Sequence, residues 1–220
     1  MDDARYDAVI FDLDGTLTDP APGIVGSFRH ALAAVGRPAP EDQDLTWMIG
    51  PPIRANLVRY GLEEDLHEAA VDAYMARHSA VGLYDAVVHD GIAELLSDLR
   101  GAGRRIALAT LKPVDQAEET LRHFGLDERF DVVGGRDPGA LVDGKIDIVA
   151  DVRRRLGGDA PVMIGDRAQD VDAGIANGLA TVVVDWGYAE PGEFDATPPT
   201  HRVATVADLR TLLLGPPTTT

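Results

Sequence analysis

Four short, uninterrupted apolar runs stand out along the chain: Ala8–Phe11 (AVIF), Ile106–Thr110 (IALAT), Val162–Gly165 (VMIG) and Thr181–Val184 (TVVV). Runs this short with no alternating polar positions are what strands buried on both faces require. Phe130–Val133 (FDVV) is a fifth candidate. Between them the apolar spacing becomes helical, over Gly91–Arg100, over Val114–Phe124 behind Pro113, and over Lys145–Leu156. Strands alternating with helices predict an α/β fold with a parallel sheet covered on both faces. One stretch breaks the alternation. From Pro20 to Val88 helical patterns follow one another (Ile24–Gly36, Ile53–Gly61, Glu63–Gly82) with no convincing strand. The expected organisation is therefore a core from residues 1–19 and 89–220 and an inserted all-helical cap from residues 20–88. The segments Thr197–Thr200 (TPPT) and 215–220 (GPPTTT) read as loose.

Composition narrows the functional classes. A chain of 220 residues, 45% hydrophobic, suits one domain carrying an insertion. With 37 acidic and 20 basic side chains the formal charge is −17, which disfavours nucleic acid and anionic membrane surfaces as partners. The one basic run, Arg153–Arg155, reads as a solvated helix face. The lack of cysteine excludes disulfides, thiolate metal sites and cysteine nucleophiles, and fits a reducing compartment. The start MDDARYD is polar, and no apolar stretch reaches the length of a membrane span or signal peptide, so the expected location is the cytoplasm. The six histidines are dispersed without metal-ligand spacing. Lysine occurs only at positions 112 and 145, which makes their placement informative.

In an open parallel sheet, ligands bind beyond the carboxyl ends of the strands. The polar residues of interest fall at those ends: Asp12 and Asp14 after the first run, Thr110 closing the second, and Asp166 after VMIG with Asp170 one helical turn on. Several aspartates converging on one crevice repel one another unless a cation sits among them, and their hard oxygens suit Mg²⁺. An EF-hand does not fit, because Gly15 comes too early and the terminal glutamate is missing.

FDLDGTLTD (Phe11–Asp19), the threonine ending IALAT, Lys145 ahead of an apolar helix, and IGDRAQD (Ile164–Asp170) resemble the four ordered motifs of haloacid dehalogenase superfamily phosphatases. FDLDGTLTDPAPGI, IGPPI (Ile49–Ile53), TLKP and DWGYAE are similar to the phosphoglycolate phosphatase and 5'-nucleotidase-like branch. The resemblance covers nearly the whole chain. It implies a Rossmann-like, doubly wound core with a mobile cap, Mg²⁺, and an aspartyl-phosphate intermediate formed on a small phosphorylated metabolite. On this resemblance Asp12 is the nucleophile and Asp14 the general acid and base. Asp14 must then titrate well above the roughly 3.9 of a free aspartate, as crowded carboxylates can cause. Mg²⁺ would be held by Asp12, the Asp14 backbone carbonyl and Asp166, with Asp170 a ligand through water or an orienting group. Thr110 would bond a phosphoryl oxygen, with backbone N–H groups around Gly15 and Leu111 helping. Lys145 would neutralise the phosphoryl group and bridge to Asp12 or Asp166. Lys112 would lie near the substrate end, and Gly50 and Arg54 of the cap are candidate substrate contacts. Leu111, Ala189 and the loop GRDPGALVDGK before Lys145 depart from the usual pattern.

Two rivals stay open: a β-phosphoglucomutase-like phosphoryl transfer, and a non-catalytic phosphate-binding regulator. Asp14 disfavours a true dehalogenase, and the lack of a cap lysine disfavours a phosphonatase. No G-x-S-x-G elbow is present. The sequence leaves the oligomeric state open.

Overall fold

The structure, a computed structural model, describes residues 6–137 and 144–216. Most of the unusual loop before Lys145, residues 138–143, lies outside them, as do the first five and last four residues. In chain order the strands are β1 (Ala8–Phe11), β2 (Thr18–Asp19), β3 (Val87–Val88), β4 (Arg105–Pro113), β5 (Val132–Arg136), β6 (Pro161–Gly165), β7 (Ala180–Val184) and β8 (His201–Val203). The α-helices are α1 (Ala21–Ala34), α2 (Ile53–Tyr60), α3 (His67–Arg77), α4 (Ile92–Gly101), α5 (Val114–His123), α6 (Lys145–Leu156), α7 (Ala168–Ala176) and α8 (Val206–Leu214). The chain divides into two compact units, Met1–Thr18 with Val88–Thr220, and Asp19–Val87.

The first unit is a parallel six-stranded sheet in the order β5-β4-β1-β6-β7-β8. Strand period decides what covers each face. Val9 and Phe11 of β1 join Ile106, Leu108, Val162, Ile164, Val182 and Val184 under α4, α5 and α8. Ala8, Ile10, Ala107, Ala109 and Met163 point the other way, under α6 and α7. Both parities are therefore apolar, which is why these strands read as unbroken runs. From β1 the chain builds outward to β4 and β5 on one side and to β6, β7 and β8 on the other. That reversal opens a crevice beyond the carboxyl ends of β1 and β6.

Some boundaries differ from the sequence expectation. The 3₁₀ turn Asp127–Arg129 delays β5 to Val132, and the strand runs on through Gly134 and Gly135. A Cβ at Gly134 would lie 2.2 Å from Val152 Cγ2, and one at Gly135 2.6 Å from the Lys112 carbonyl oxygen, so packing demands both glycines. The short strand β8 offers no apolar run to read. The supposedly loose TPPT segment ends in an anchor, since the backbone N–H groups of Thr181 and Thr200 each donate to the other's hydroxyl, at 3.1 and 3.0 Å.

The second unit is helical apart from its ends, Asp19 in β2 and Val87 in β3, strands that pair with each other. Phe28, Leu32, Leu45, Met48 and Leu57 are among its buried side chains, and Phe28 meets Tyr60 edge to face at 5.6 Å. Gly61, at φ +82°, ends α2 in the left-handed conformation glycine favours. Among the described residues, no helix is long and apolar enough to cross a membrane.

Helix α7 is seated on β6 and β7 through Gly174, where a Cβ would lie 2.4 Å from Thr181 Cγ2 and 3.2 Å from Met163 Cβ. Gly174→Ala should destabilise the protein by about 1–3 kcal/mol through overpacking, more than the roughly 1 kcal/mol gained in helix propensity. Gly101→Ala meets nothing within 4 Å and should not lower stability. Urea unfolding midpoints compare the two, and an unshifted midpoint for Gly174→Ala would contradict this seating.

Candidate active site

The centre is assembled from loops that follow β1, β6 and β7 and from the first turn of α6. The Asp12 N–H donates to the Ile164 carbonyl at 2.8 Å, extending the β1–β6 ladder by one residue and fixing Asp12 at the crevice. The chain then turns sharply, with the N–H groups of Leu17 and Thr18 both donating to the Leu13 carbonyl. Gly15 sits in this turn at φ +86°.

Lys145 opens α6 and is buried, with Nζ 2.8 Å from Asp12 Oδ1 and 2.7 Å from Asp170 Oδ1. Both are close pairings of the ammonium with a carboxylate oxygen. Burial alone would lower the Lys145 pKa, but Asp12 and Asp170 outweigh it and hold the ammonium above the ordinary lysine range. Asp166, fully buried, accepts from Thr16 Oγ1 at 3.2 Å and from the Tyr188 N–H at 2.7 Å. Burial, then Asp170 and Asp12, push its carboxyl up to about 8. Asp170 caps α7 by accepting the Arg167 N–H at 3.0 Å, and burial raises it too, with Lys145 opposing. Ligand oxygens of Asp12, Asp166 and Asp170 lie within 4.8 Å of one another. Three buried carboxylates around one ammonium leave excess negative charge. Such a hard-oxygen set fits a divalent cation.

The other expected residues fall as follows. Asp14 does not enter this crowd; its Oδ1 is 2.8 Å from Lys112 Nζ in a shielded ion pair. The crowded carboxylates are those of Asp12, Asp166 and Asp170. Lys145 bridges Asp12 to Asp170 instead of Asp166. The Gly15 N–H is not free for an oxyanion, because it donates to the Thr18 carbonyl at 2.7 Å. What Gly15 supplies is space, since a Cβ there would lie 2.3 Å from Asp166 Oδ2. Thr110 is buried and its Oγ1 accepts the Lys112 N–H at 3.3 Å, leaving its own hydroxyl hydrogen to donate. Leu111 follows it, half-buried against the core beneath α6. Gly50 and Arg54 belong to the helical unit. Gly50 lies, at φ +107°, in a turn that Asn56 fastens through the Met48 and Pro51 carbonyls, and Arg54 pairs with Glu68 on an exposed surface at 2.5 Å.

The sequence reading marked DWGYAE, the segment after β7, only as part of the resemblance and gave its residues no place at the site. Trp186 Nε1 donates to the Thr16 carbonyl at 3.1 Å, and Gly187 passes so close that a Cβ would lie 2.1 Å from Asp166 Cβ. Tyr188 supplies the amide already described. Two of these three contacts use backbone and so leave no side-chain signature; the glycine of WGY is their faint trace.

Fold and site together define an α/β enzyme core with a preformed acidic centre at the switch point of its sheet. Residues 9–184 match the family described as haloacid dehalogenase-like hydrolase, and the chain belongs to that family. It is 46% identical over 209 residues to the tyrosine-protein kinase PtkA of Mycobacterium tuberculosis, covering 93% of this chain and 72% of that protein. It is 38% identical to a 5'-nucleotidase of Pseudomonas aeruginosa, covering 95% of this chain and 96% of that one. A solved structure described as a predicted phosphatase from Clostridium acetobutylicum superposes with a TM-score of 0.85 at 31% identity, over 94% of this chain and 97% of its own.

The raised carboxyls fix the sign of a pH effect. A group whose folded pKa exceeds its unfolded value stabilises fully below the unfolded value, near 3.8 for Asp166, and loses that contribution as pH rises through about 8. The chelator-treated protein should therefore melt at progressively lower temperature from pH 5 to pH 8. A saturating divalent cation should flatten that slope, because it takes the place of the proton. A melting temperature that stays level without metal would show that these carboxyls are ionised throughout.

Proposed function

We propose that this phosphoric monoester hydrolase cleaves a small phosphomonoester in the cytoplasm, with Mg²⁺, through an aspartyl phosphate on Asp12. The observation that carries the reading is the placement of Asp12: a buried carboxylate at the end of the central strand, 2.8 Å from the Lys145 ammonium. Asp12, Asp166 and Asp170, with the backbone carbonyl of Asp14, would hold Mg²⁺, which when bound offsets the charge of the phosphoryl oxygens facing a carboxylate nucleophile.

An Asp12 oxygen attacks phosphorus, and the bond from phosphorus to the leaving oxygen breaks. Asp14 delivers a proton to that oxygen, so the product departs as a neutral alcohol. Asp14, now a carboxylate, takes a proton from a water that attacks the aspartyl phosphate, which releases phosphate and restores Asp12. The Lys112 ion pair at 2.8 Å belongs to the carboxylate form of Asp14, the one that acts as base in the second step; as acid in the first step Asp14 carries the proton in place of that pairing. Thr110 donates its hydroxyl to a phosphoryl oxygen, and Lys145 holds Asp12 in place from 2.8 Å. Retention of both Asp12 and Asp14 favours catalysis over a regulator that only binds phosphate. The kinase name of the mycobacterial relatives supports a second reading, in which a tyrosine hydroxyl rather than water receives the phosphoryl group.

Phosphate release from a panel containing phosphoglycolate, nucleoside 5'-monophosphates and sugar phosphates should require Mg²⁺, stop with EDTA, and be lost in Asp12→Asn. Asp14→Asn should lower kcat by about 10²–10⁴-fold on alkyl phosphates, and by much less on p-nitrophenyl phosphate, whose leaving group needs little protonation. No release from any ester, together with labelling of protein tyrosine from γ-labelled ATP, would replace hydrolysis by the kinase reading.

A further inference from the structure

The acidic centre is held from outside by a residue that takes no part in the chemistry above. Glu193 lies in the loop between β7 and β8, and its side chain and that of Arg167 are only 15% and 9% exposed. Its Oε1 accepts from Arg167 Nε at 2.9 Å and from the Ala168 N–H at 2.8 Å. Its Oε2 accepts from the Glu190 N–H at 2.7 Å and from the same Arg167 Nε at 3.2 Å. One carboxylate thus ties the N-cap and first helical residue of α7, which carries Asp170, to the segment running on from β7.

That segment is fixed at two points around Asp166. At one end Trp186 Nε1 bonds the Thr16 carbonyl, and at the other Glu193 is fastened to the start of α7 and itself accepts the Glu190 N–H. Between them Gly187 packs on the Asp166 side chain and the Tyr188 N–H bonds Asp166 Oδ2. Phe194 is buried against Val171 and Val183, so the strap continues into the core immediately after Glu193.

We propose that Glu193 is a positioning residue for the divalent-cation centre, holding the Tyr188 amide on Asp166 and the start of α7 in one arrangement. The proposal rests on the metal-dependent reading above. Outer partners that orient metal-binding carboxylates typically change affinity by about 10–100-fold when removed. Glu193→Ala removes the charge and every acceptor, whereas Glu193→Gln removes the charge but keeps an acceptor for the backbone donors.

The test is Mg²⁺ titration of the metal-free full chain by calorimetry, with circular dichroism to establish folding. Glu128→Gln, an exposed acid before β5, serves as a control for net charge. Wild type and Glu128→Gln should bind alike, Glu193→Ala about 10–100-fold more weakly, and Glu193→Gln in between. Equal weakening in the Gln and Ala variants would mean that Glu193 acts only as a local charge, which overturns the proposal. A folded Glu193→Ala with wild-type affinity and a lowered melting temperature would overturn it too, by showing a merely structural role. If Glu193→Ala does not fold, Glu193→Gln decides, and unchanged affinity there is fatal to the clamp. Absence of Mg²⁺ binding by wild type would instead remove the metal reading, and this inference with it.

Discussion

Like-charge repulsion among buried carboxylates governs how this centre is built. At 4.8 Å, two ionised carboxylates repel by roughly 3–4 kcal/mol even at an effective dielectric constant of about 20. Asp12, Asp166 and Asp170 form three such pairs, and Lys145 touches two of the three carboxylates. Asp166, the one without the ammonium, is pushed up to about 8, first by burial and then by Asp170 and Asp12. The arrangement is poised for a proton or a cation, and the fold must keep the carboxylates from separating when neither is bound.

Close backbone approach is how the fold does this. Gly15 and Gly187 come from loops more than 170 residues apart in sequence and both press on Asp166. Gly165 leaves room for Asp170, whose Cγ would lie 2.2 Å from an added Cβ. Each loop is anchored elsewhere by ordinary structure: Asp12 by the β1–β6 ladder, Gly165 by β6 itself, and Gly187 by the Trp186 bond and the Glu193 clamp. The helix that carries Asp170 is seated through another glycine, Gly174. Repulsion within the centre is therefore opposed by packing and hydrogen bonds distributed over several elements.

What could be read in advance follows from which interactions leave a side-chain trace. The runs of β1, β4, β6 and β7 were legible because both faces of each strand are covered, and Lys145–Leu156 because one helical face packs on the sheet. The short strand β8 and the glycine-rich end of β5 were not, since backbone pairing and close packing hold them rather than an apolar pattern. At the site, the spacing of Asp12, Asp14, Asp166 and Asp170 was visible, but their pairings were not. Whether Lys145 reaches Asp166 or Asp170, and whether Asp14 joins the crowd or pairs with Lys112, depends on directions that no linear pattern encodes. DWGYAE stood out as a motif, but the contacts it makes as a strap were hidden for the same reason, because its decisive groups are an amide N–H and a missing Cβ.

The charge inventory then constrains how an anion can be attracted at all. The chain carries a formal charge of −17, and its two lysines are both engaged by carboxylates, Lys112 by Asp14 and Lys145 by Asp12 and Asp170. Arg167, beside the centre, is engaged by Glu193. A phosphate dianion approaching these residues meets cations whose fields are already largely cancelled by the carboxylates beside them. On the proposed metal-dependent reading, a bound divalent ion would add two positive charges where the uncompensated carboxylates are concentrated, so the residues that fix the ion would also fix the affinity for phosphate. In such a centre metal and phosphate binding are thermodynamically linked, and each must strengthen the other by the same factor.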